Sequence, residues 1–496
     1  MISPVKISGN LWVFKAVNVV TFEQLLKVIA SGNSPGLCVD SRLVKPGNIF
    51  VAVPGTSYDG HNFIDNALEK GVKYIVCQKP VRCENAEVII VDDSAKAAGL
   101  LAQASYGWPA SKLINLAVTG TNGKTTIAFL VRSIIQNAGQ KCGLIGTVVY
   151  DSVMNCIEAP LTTPDYLTIA DMTAQMVKAG AKYMVIEASS HSLAQSRLAG
   201  VNFRAAAFTN LTGDHLDYHK TKQNYLDAKS KLFEGLAADA TAVLNKESPE
   251  AEQIAARTKA KILWYAVDAP ADIAAHIESM DITGTTFVLE YTGKKKMVKI
   301  HLSGRYNVSN SLAAAGLCLA AGLDFETIAV GLSSLKAIPG RLEKLDWNGD
   351  FAVVVDFAHT DDALKNVLST LRPLCKGRLI VVFGCGGDRD RTKRPRMAKV
   401  TEQLADFIVV TSDNPRTEKP EDIIKEVAAG FSNPESPAII SEPDRAKAIK
   451  LAVEKAAKGD IVLIAGKGHE PYQIIGKQKF DFSDKAVALE CLGKRK

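Results

Sequence analysis

A lysine and a hydroxyl residue at the end of a short glycine turn can hold phosphate, and such a turn reads GTNGKTT at Gly120–Thr126. The backbone N–H groups of Gly120, Thr121, Asn122 and Gly123, with the positive end of a following helix, would face phosphate oxygens. Lys124 would reach the β- and γ-phosphates of ATP, Thr125 would ligate Mg2+, and Thr126 completes the turn. The longer pattern G-x-x-x-x-G-K-[ST] is not met, because Val118 stands where its first glycine belongs. A bare Gly-Lys-Thr is also compatible with a tight turn and a surface lysine. The surroundings weigh against that: an apolar strand reading over 113–118 precedes the turn, and Ile127, Leu130, Val131, Ile134 and Ile135 mark a helix after it.

Mg2+ takes oxygen ligands, here expected from the ends of neighbouring strands. Glu187 ends the run YMVIE, and His215 lies in GDHLDYH after AAAFTNL. His215 and His219 stand four apart, a zinc-like spacing, but no H-E-x-x-H occurs and the segment equally suits a polar loop, so the reading goes against zinc. Further on, the Asn-Pro of SDNPRTE fixes a turn whose Arg416 can pair bidentately with a carboxylate. Arg389 in GCGGDRD offers a second carboxylate partner, and Glu470 in GKGHE an ammonium partner. Two arginines with acidic neighbours describe a zwitterionic ligand bearing an extra carboxylate. A ligand ending in a bare ammonium would leave Arg416 unpaired and repelled.

These turns need rigid elements behind them. The 496 residues divide into three blocks, expected at 1–111, 112–338 and 339–496. The first alternates short apolar runs (NIFVAVPG, KYIVCQ, AEVIIVDD) with helical patterns and reads as a small α/β domain. The second reads as a mostly parallel, doubly wound sheet, interrupted by the hairpin TTFVLEYTGKKKMVKIHL. The third carries five apolar strands, FAVVVDF, RLIVVFG, DFIVVTS, PAIIS and DIVLIAG, with helices between them, a second doubly wound sheet. In such sheets ligands sit beyond the carboxyl ends of the strands, where DFAHT, GCGGDRD, SDNPRTE and AGKGHE all fall.

A net charge of +6 with scattered basic residues gives no case for nucleic acid. Nine cysteines without a C-x-x-C pair fit a reduced, cytoplasmic protein. No basic segment leads into an apolar run at the N-terminus, and no stretch approaches the roughly 18 apolar residues of a membrane helix. The expectation is a soluble, intracellular protein.

Taken together, GTNGKTT, EASSH (Glu187–His191), TNL…DHLDYH (Thr209–His219), NVSNSLAA, PGRLE and DFAHTDDAL resemble the Mur ligase family, ATP-dependent amide-bond ligases of peptidoglycan precursor synthesis. The similarity runs from VDSR near residue 40 to GKGHE near residue 470. It implies a small N-terminal UDP-binding α/β domain, a central P-loop ATPase domain and a C-terminal Rossmann-like domain. Within the family the branch adding the third residue of the peptide is most similar. The resemblance then implies transfer of meso-diaminopimelate to UDP-N-acetylmuramoyl-L-alanyl-D-glutamate through an acyl phosphate, with ATP and Mg2+. It also implies a cytoplasmic monomer that serves cell-wall biogenesis without nucleic acid or membrane insertion.

The resemblance further assigns residues. Asn310, Arg341 and His359 would meet the nucleotide; by type alone they are a helix cap, an interdomain ion pair and a strand-end polar residue. Ser41 and Thr56, Ser57 and Tyr58 would lie near the uridine diphosphate, and Thr162, Thr163, Ser189, Gln195 and Arg197 would hold the muramoyl dipeptide. Arg389, Asp413, Asn414, Pro415, Arg416, Gly466 and Glu470 would bind diaminopimelate. Lys229, by spacing alone a surface charge on an amphipathic helix, would be carbamylated and join Thr125, Glu187 and His215 around Mg2+, while Lys124, Glu187, His215 and Lys229 would form the catalytic set. The sequence departs from the family's D-Y-A-H-T-P-D-A-L at Phe357 and Asp361, which concerns nucleotide contacts. Rival readings are a lysine-adding ligase, a folylpolyglutamate synthetase, which would lack VDSR, GTSYDG and DNPR, and a nucleotide switch without ligase chemistry.

Overall fold

Each of the apolar runs becomes a strand, and the helices between them turn their apolar faces onto the sheets. The computed structural model describes residues 2–7, 11–16, 20–32, 35–55, 58–81, 83–213 and 215–494. Thr56 and Ser57 lie outside the described residues. Two compact units emerge: residues 1–117, 140–204 and 228–237 form one, and residues 118–139, 205–227 and 238–496 the other.

In the first unit, an antiparallel backbone hairpin pairs Ile2–Ile7 with Leu11–Ala16. Four parallel strands then lie side by side: Leu37–Cys38, Ile49–Val51, Tyr74–Cys77 and Glu87–Ile90. Their period-two alternation feeds two cores. Ile49, Val51 and Val76 pack with Leu25, Ile29, Ala98 and Leu101 of the helices Phe22–Ala30 and Ser94–Ser105. Phe50 and Ile75 pack instead with Ile64 and Ala67 of the helix Ile64–Glu69. A second group of strands runs in the order Cys156–Glu158, Val149–Asp151, Cys142–Ile145, Tyr183–Glu187, Ile114–Thr119. The two strands at its outer edge are antiparallel, and Tyr183–Glu187 runs parallel to Cys142–Ile145.

The strand Ile114–Thr119 carries the chain into the second unit and ends one residue later than the 113–118 expected. Its last residue feeds the phosphate loop, followed by the helix Lys124–Asn137. Beside it lie Phe203–Phe208, Thr241–Asn245, Lys261–Val267, Ile273–Asp281, Gly284–Tyr291 and Lys294–Ile300 in that order. Pairing is parallel as far as Ile273–Asp281 and antiparallel beyond, so the expected hairpin gains an extra strand. That strand, IAAHIESMD, has β-branched residues only at Ile273 and Ile277 among small and polar neighbours, too thin a signal to announce it. The phosphate-loop helix is held from behind by the helix Phe325–Ser334, where Gly331 sits against Ile134 and its carbonyl accepts the Ser133 hydroxyl at 3.0 Å.

The C-terminal sheet runs Glu343–Lys344, Ala352–Asp356, Ile461–Ala465, Leu379–Cys385, Phe407–Ser412, Ile439–Ser441, parallel except for the first pair. Val354 and Val381 face a core with the helices Asp361–Leu371, Lys393–Leu404 and Pro420–Ala428. Val353, Val355, Ile380 and Val382 face the helices Arg445–Lys455 and Asp484–Gly493. All five expected strands are present. An antiparallel hairpin, Tyr472–Ile475 with Gln478–Asp481, was not expected, because its half-buried and exposed residues show no apolar alternation.

Candidate active site

The phosphate loop is shaped by residues that only glycine could neighbour. Gly123 has φ +92, and a Cβ on it would collide with Asn310 Oδ1. Gly120 likewise abuts the Thr209 hydroxyl. Asn122 is pinned on every side: its N–H donates to Asn210 Oδ1 at 3.0 Å, its carbonyl accepts from the Thr209 hydroxyl at 2.7 Å, and its Nδ2 donates to Asp362 Oδ2 at 2.8 Å. The Thr121 hydroxyl accepts the Thr212 N–H at 3.0 Å and lies 3.3 Å from the Tyr225 hydroxyl. Thr126, like Thr125, is buried in the first turn of the helix. Lys124 Nζ donates to the carbonyls of Gly120 at 2.9 Å and Thr121 at 2.7 Å, folding back over the cradle it would share with phosphate oxygens.

Arg341 reaches the phosphate loop. Its Nη2 donates to Thr125 Oγ1 at 3.2 Å, and its guanidinium lies 4.7 Å from the centre of the Phe357 ring. Asp356, beneath it, accepts the N–H groups of Leu342 and Ala358 at 2.7 Å each, and burial raises its pKa against the opposing pull of Arg341. Asn310 is not a cap: it is buried within the helix Arg305–Ala320 and donates to Asn307 Oδ1 at 3.2 Å. His359 Nδ1 lies 2.8 Å from the Phe357 carbonyl, and Lys393 Nζ donates to the His359 carbonyl at 2.8 Å. His215 is exposed with φ +55, its ring edge-on to Tyr225.

In the first unit, Glu187 is fully buried at the end of its strand. Its Oε1 accepts the Thr147 N–H at 2.8 Å, and its Oε2 accepts the Thr147 hydroxyl at 2.8 Å. The Thr147 hydroxyl also lies 3.2 Å from that of Thr162. The Thr163 hydroxyl donates to the Glu187 carbonyl at 2.7 Å and accepts the Ser189 N–H at 3.0 Å, while Ser189 caps the helix Ser190–Ala194. Arg197 donates to the Thr163 carbonyl at 2.9 Å and to Gln195 Oε1 at 2.7 Å. Thr162, Thr163, Ser189, Gln195 and Arg197 are thus joined around Glu187. Lys229 corrects the surface-charge reading, since it is only 1% exposed. Burying an ammonium is costly, so this position is set by more than helix amphipathicity. Ser41 is buried, with its carbonyl accepting Lys70 Nζ at 2.9 Å, whereas Tyr58 is 76% exposed.

The C-terminal turns converge on one another. Arg416, at φ +52, donates from Nη1 to the carbonyls of Gly387 at 2.9 Å and Asn414 at 3.4 Å, and Arg389 donates to the Asp388 carbonyl at 3.0 Å. Both flank Gly386: a Cβ there would lie 3.0 Å from Arg416 Nη1 and 3.9 Å from Arg389 Cγ. Among the described residues neither guanidinium has a carboxylate within ion-pair distance. Burial and the charge of Arg389 together lower the Arg416 pKa. Pro415 follows Asn414 in the turn, and its carbonyl abuts Gly387. Asn414 Nδ2 donates to Glu470 Oε2 at 3.0 Å. Gly466, at φ +118, leaves space that a Cβ would take 2.6 Å from Asp413 Oδ2, a buried oxygen without a hydrogen-bond partner among the described residues.

Sequence reasoning passed over Thr147, Asp362, Lys393 and Lys467. Thr147 carried no signal, while Asp362 and Lys467 lie inside segments already singled out, DFAHTDDAL and GKGHE. Among the described residues, no three His, Cys, Asp or Glu side chains gather as a metal-holding group. Mg2+ commonly binds through one or two protein oxygens plus phosphates rather than in an all-protein cage, and the hydroxyl of Thr125 and the carboxylate of Glu187 are donors of that chemistry.

Comparison with known proteins decides the family. Residues 118–318 match the Mur ligase middle domain, residues 340–468 the Mur ligase glutamate ligase domain, and residues 35–106 the Mur ligase family catalytic domain. The UDP-N-acetylmuramoyl-L-alanyl-D-glutamate–2,6-diaminopimelate ligase of Bacillus licheniformis is 44% identical over 460 residues, 92% of this chain and 93% of that protein. The chain belongs to the Mur ligase family. This Mur ligase has the family's three-domain α/β fold and is an ATP-dependent, amide-bond-forming enzyme. A solved UDP-N-acetylmuramoyl-L-alanyl-D-glutamate–2,6-diaminopimelate ligase superimposes with a TM-score of 0.68 at 33% identity, covering 93% of this Mur ligase and 95% of that chain. A MurF ligase from Thermotoga maritima in complex with ADP shares the fold at 19% identity, with a TM-score of 0.61 and coverage of 95% and 99%. No helix among the described residues is long and apolar enough to cross a membrane.

Proposed function

We propose that this Mur ligase joins meso-diaminopimelate to the D-glutamyl carboxylate of UDP-N-acetylmuramoyl-L-alanyl-D-glutamate. The observation that carries the reading is the pair Arg389 and Arg416, two neighbouring guanidiniums that among the described residues bond only to backbone carbonyls. A substrate carboxylate between them would supply the missing charge-assisted partner. Diaminopimelate has such a carboxylate at its far end, and lysine does not. Asp413, Asn414 and Glu470 offer acceptors for the ammonium beside it, with Pro415 and Gly466 shaping the turn.

In the first step the D-glutamyl carboxylate attacks the γ-phosphorus of ATP and ADP leaves, giving an acyl phosphate. The amine of diaminopimelate then attacks the acyl carbon, loses a proton, and expels inorganic phosphate. Charge gathers on phosphate oxygens in both steps, so stabilisation by Lys124 and the N–H groups of Gly120–Thr126 is the main demand on the protein. Lys124 would exchange its two carbonyl partners for phosphate oxygens. Asn310, Arg341 and His359 would meet the nucleotide. Mg2+, held by Thr125, Glu187, His215 and carbamylated Lys229, would neutralise the phosphate charge when bound. Ser41, Thr56, Ser57 and Tyr58 would receive the uridine diphosphate, and Thr162, Thr163, Ser189, Gln195 and Arg197 the muramoyl dipeptide. The reading divides the chain at 1–111, 112–338 and 339–496, and takes the enzyme to be a cytoplasmic monomer.

The test is phosphate release from ATP with the UDP-linked dipeptide present, comparing meso-diaminopimelate with L-lysine. The reading expects turnover with diaminopimelate and little with lysine. Equal turnover with lysine would overturn the amino-acid assignment.

A further inference from the structure

Lys467 is 0% exposed, yet it lies at the centre of the cluster formed by the Asp413–Arg416 turn and Glu470. Its Nζ donates to Asn414 Oδ1 at 3.0 Å and to Glu470 Oε2 at 3.1 Å, and sits 5.5 Å from the centre of the Tyr472 ring. An ammonium donates and never accepts, so it dictates which end of the Asn414 amide it meets. The N–H of Ile474, in the hairpin docked alongside, also donates to Asn414 Oδ1, at 2.9 Å. With two donors on its oxygen, the amide must turn Nδ2 the other way, and there it donates to Glu470 Oε2 at 3.0 Å. That oxygen accepts from both Lys467 and Asn414, while Oε1 of Glu470 has no hydrogen-bond partner among the described residues. The turn closes with the Glu470 N–H donating to the Lys467 carbonyl at 3.0 Å, which holds the two side chains on one side.

We infer that Lys467 is a positioning residue for amino-acid specificity. It fixes the orientation of the Asn414 amide and occupies one oxygen of Glu470, so that the other is presented to an ammonium of a zwitterionic substrate. This rests on the proposed amino-acid site and adds a residue that touches no substrate itself. Without Lys467, the Asn414 amide has one donor fewer to orient it, and Glu470 regains the freedom to rotate away.

The experiment measures KM for meso-diaminopimelate, ATP and the UDP-linked dipeptide in the wild type, Lys467→Met, Glu470→Gln and the double variant. Expected is a rise of at least about tenfold in the diaminopimelate KM of Lys467→Met, with the other two KM values within about twofold of wild type. Because Lys467 acts through Glu470, the double variant should be no more than about twofold worse than Glu470→Gln alone. Losses that multiply in the double variant, or an ATP KM that rises in step, would overturn the inference. If Lys467→Met does not fold, Lys467→Gln is judged by the same criteria. Failure of both to bind a fluorescent ATP analogue would assign Lys467 to folding and overturn the positioning role. A wild type that ignores diaminopimelate refutes the substrate reading instead, and the same comparison on the amino acid it does use then decides Lys467.

Discussion

Two guanidiniums facing carbonyl oxygens make an unfinished arrangement, and Arg389, exposed, and Arg416, half-buried, have been left that way. A hydrogen bond to a charged group is worth about 1.5–3 kcal/mol, so Arg416→Ala should raise the diaminopimelate KM on the order of ten- to hundredfold. The KM for ATP should stay near wild type, and steady-state kinetics with each substrate varied in turn would read the split. An unchanged amino-acid KM would remove Arg416 from the site. Glu187 is the opposite case, a carboxylate whose two oxygens both have donors from Thr147. Thr147→Val removes the hydroxyl donor and should cost about 1.5–3 kcal/mol of stability in denaturant unfolding. Arg416 was legible because its type and its turn residues carry the chemistry in the sequence itself. Thr147 was not, since a lone threonine in a loop has nothing to mark which carboxylate it will meet. Lys229 was misread on spacing for a related reason: periodicity reports the face of its own helix and says nothing of what packs over that face.

At the scale of elements, the strands of the C-terminal sheet were legible because apolar runs of five to seven residues bounded by turn signals leave few alternatives. The hairpin Tyr472–Ile475 with Gln478–Asp481 escaped because its fold comes from docking: the Arg416 N–H donates to the Ile474 carbonyl, and the Gly476 N–H to the Arg416 carbonyl. What holds the GCGGDRD and DNPR loops against their helices is Arg394, fully buried at the start of the helix Lys393–Leu404. It donates twice to Glu418, at 2.8 and 2.9 Å, once to Glu426 at 2.8 Å, and to the Gly386 carbonyl. Breaking a buried pair by removing one partner costs about 3–5 kcal/mol, so Arg394→Met should lower stability by roughly that amount in chemical unfolding. The pH dependence follows. Arg394 and then the Asp388 N–H hold the Glu418 carboxyl down at about 2, below its ordinary 4.5. A depressed carboxyl stabilises the fold above pH 4.5, and that contribution is lost as pH falls towards 2. Stability of Arg394→Met should therefore fall less steeply than wild type between pH 4.5 and 2, as read by thermal unfolding across that range. An equally steep acid limb would mean Glu418 is held by something other than Arg394.

For the whole molecule, the decisive legibility lay in the order of short segments across nearly the entire chain, which is why the family was apparent when a single Gly-Lys-Thr was not. One fold serves enzymes of different activities, so fold alone does not say which amino acid is added. That comes from residues at the far end of the chain, where the amino acid would be chosen. Asp362 couples that end to the phosphate loop through Asn122, a contact that no local pattern could announce. Asp362→Ala should raise the ATP KM several-fold while leaving the diaminopimelate KM near wild type, and initial-rate measurements would show it. Equal effects on both would assign Asp362 to general stability. The central claim is that this Mur ligase spends ATP to add an amino acid with a distal carboxylate. Its most direct measurement is ATP-derived phosphate release with the UDP-linked dipeptide, comparing meso-diaminopimelate and L-lysine at equal concentration. The account predicts rapid release with diaminopimelate and at least about tenfold less with lysine; equal or faster release with lysine would contradict it.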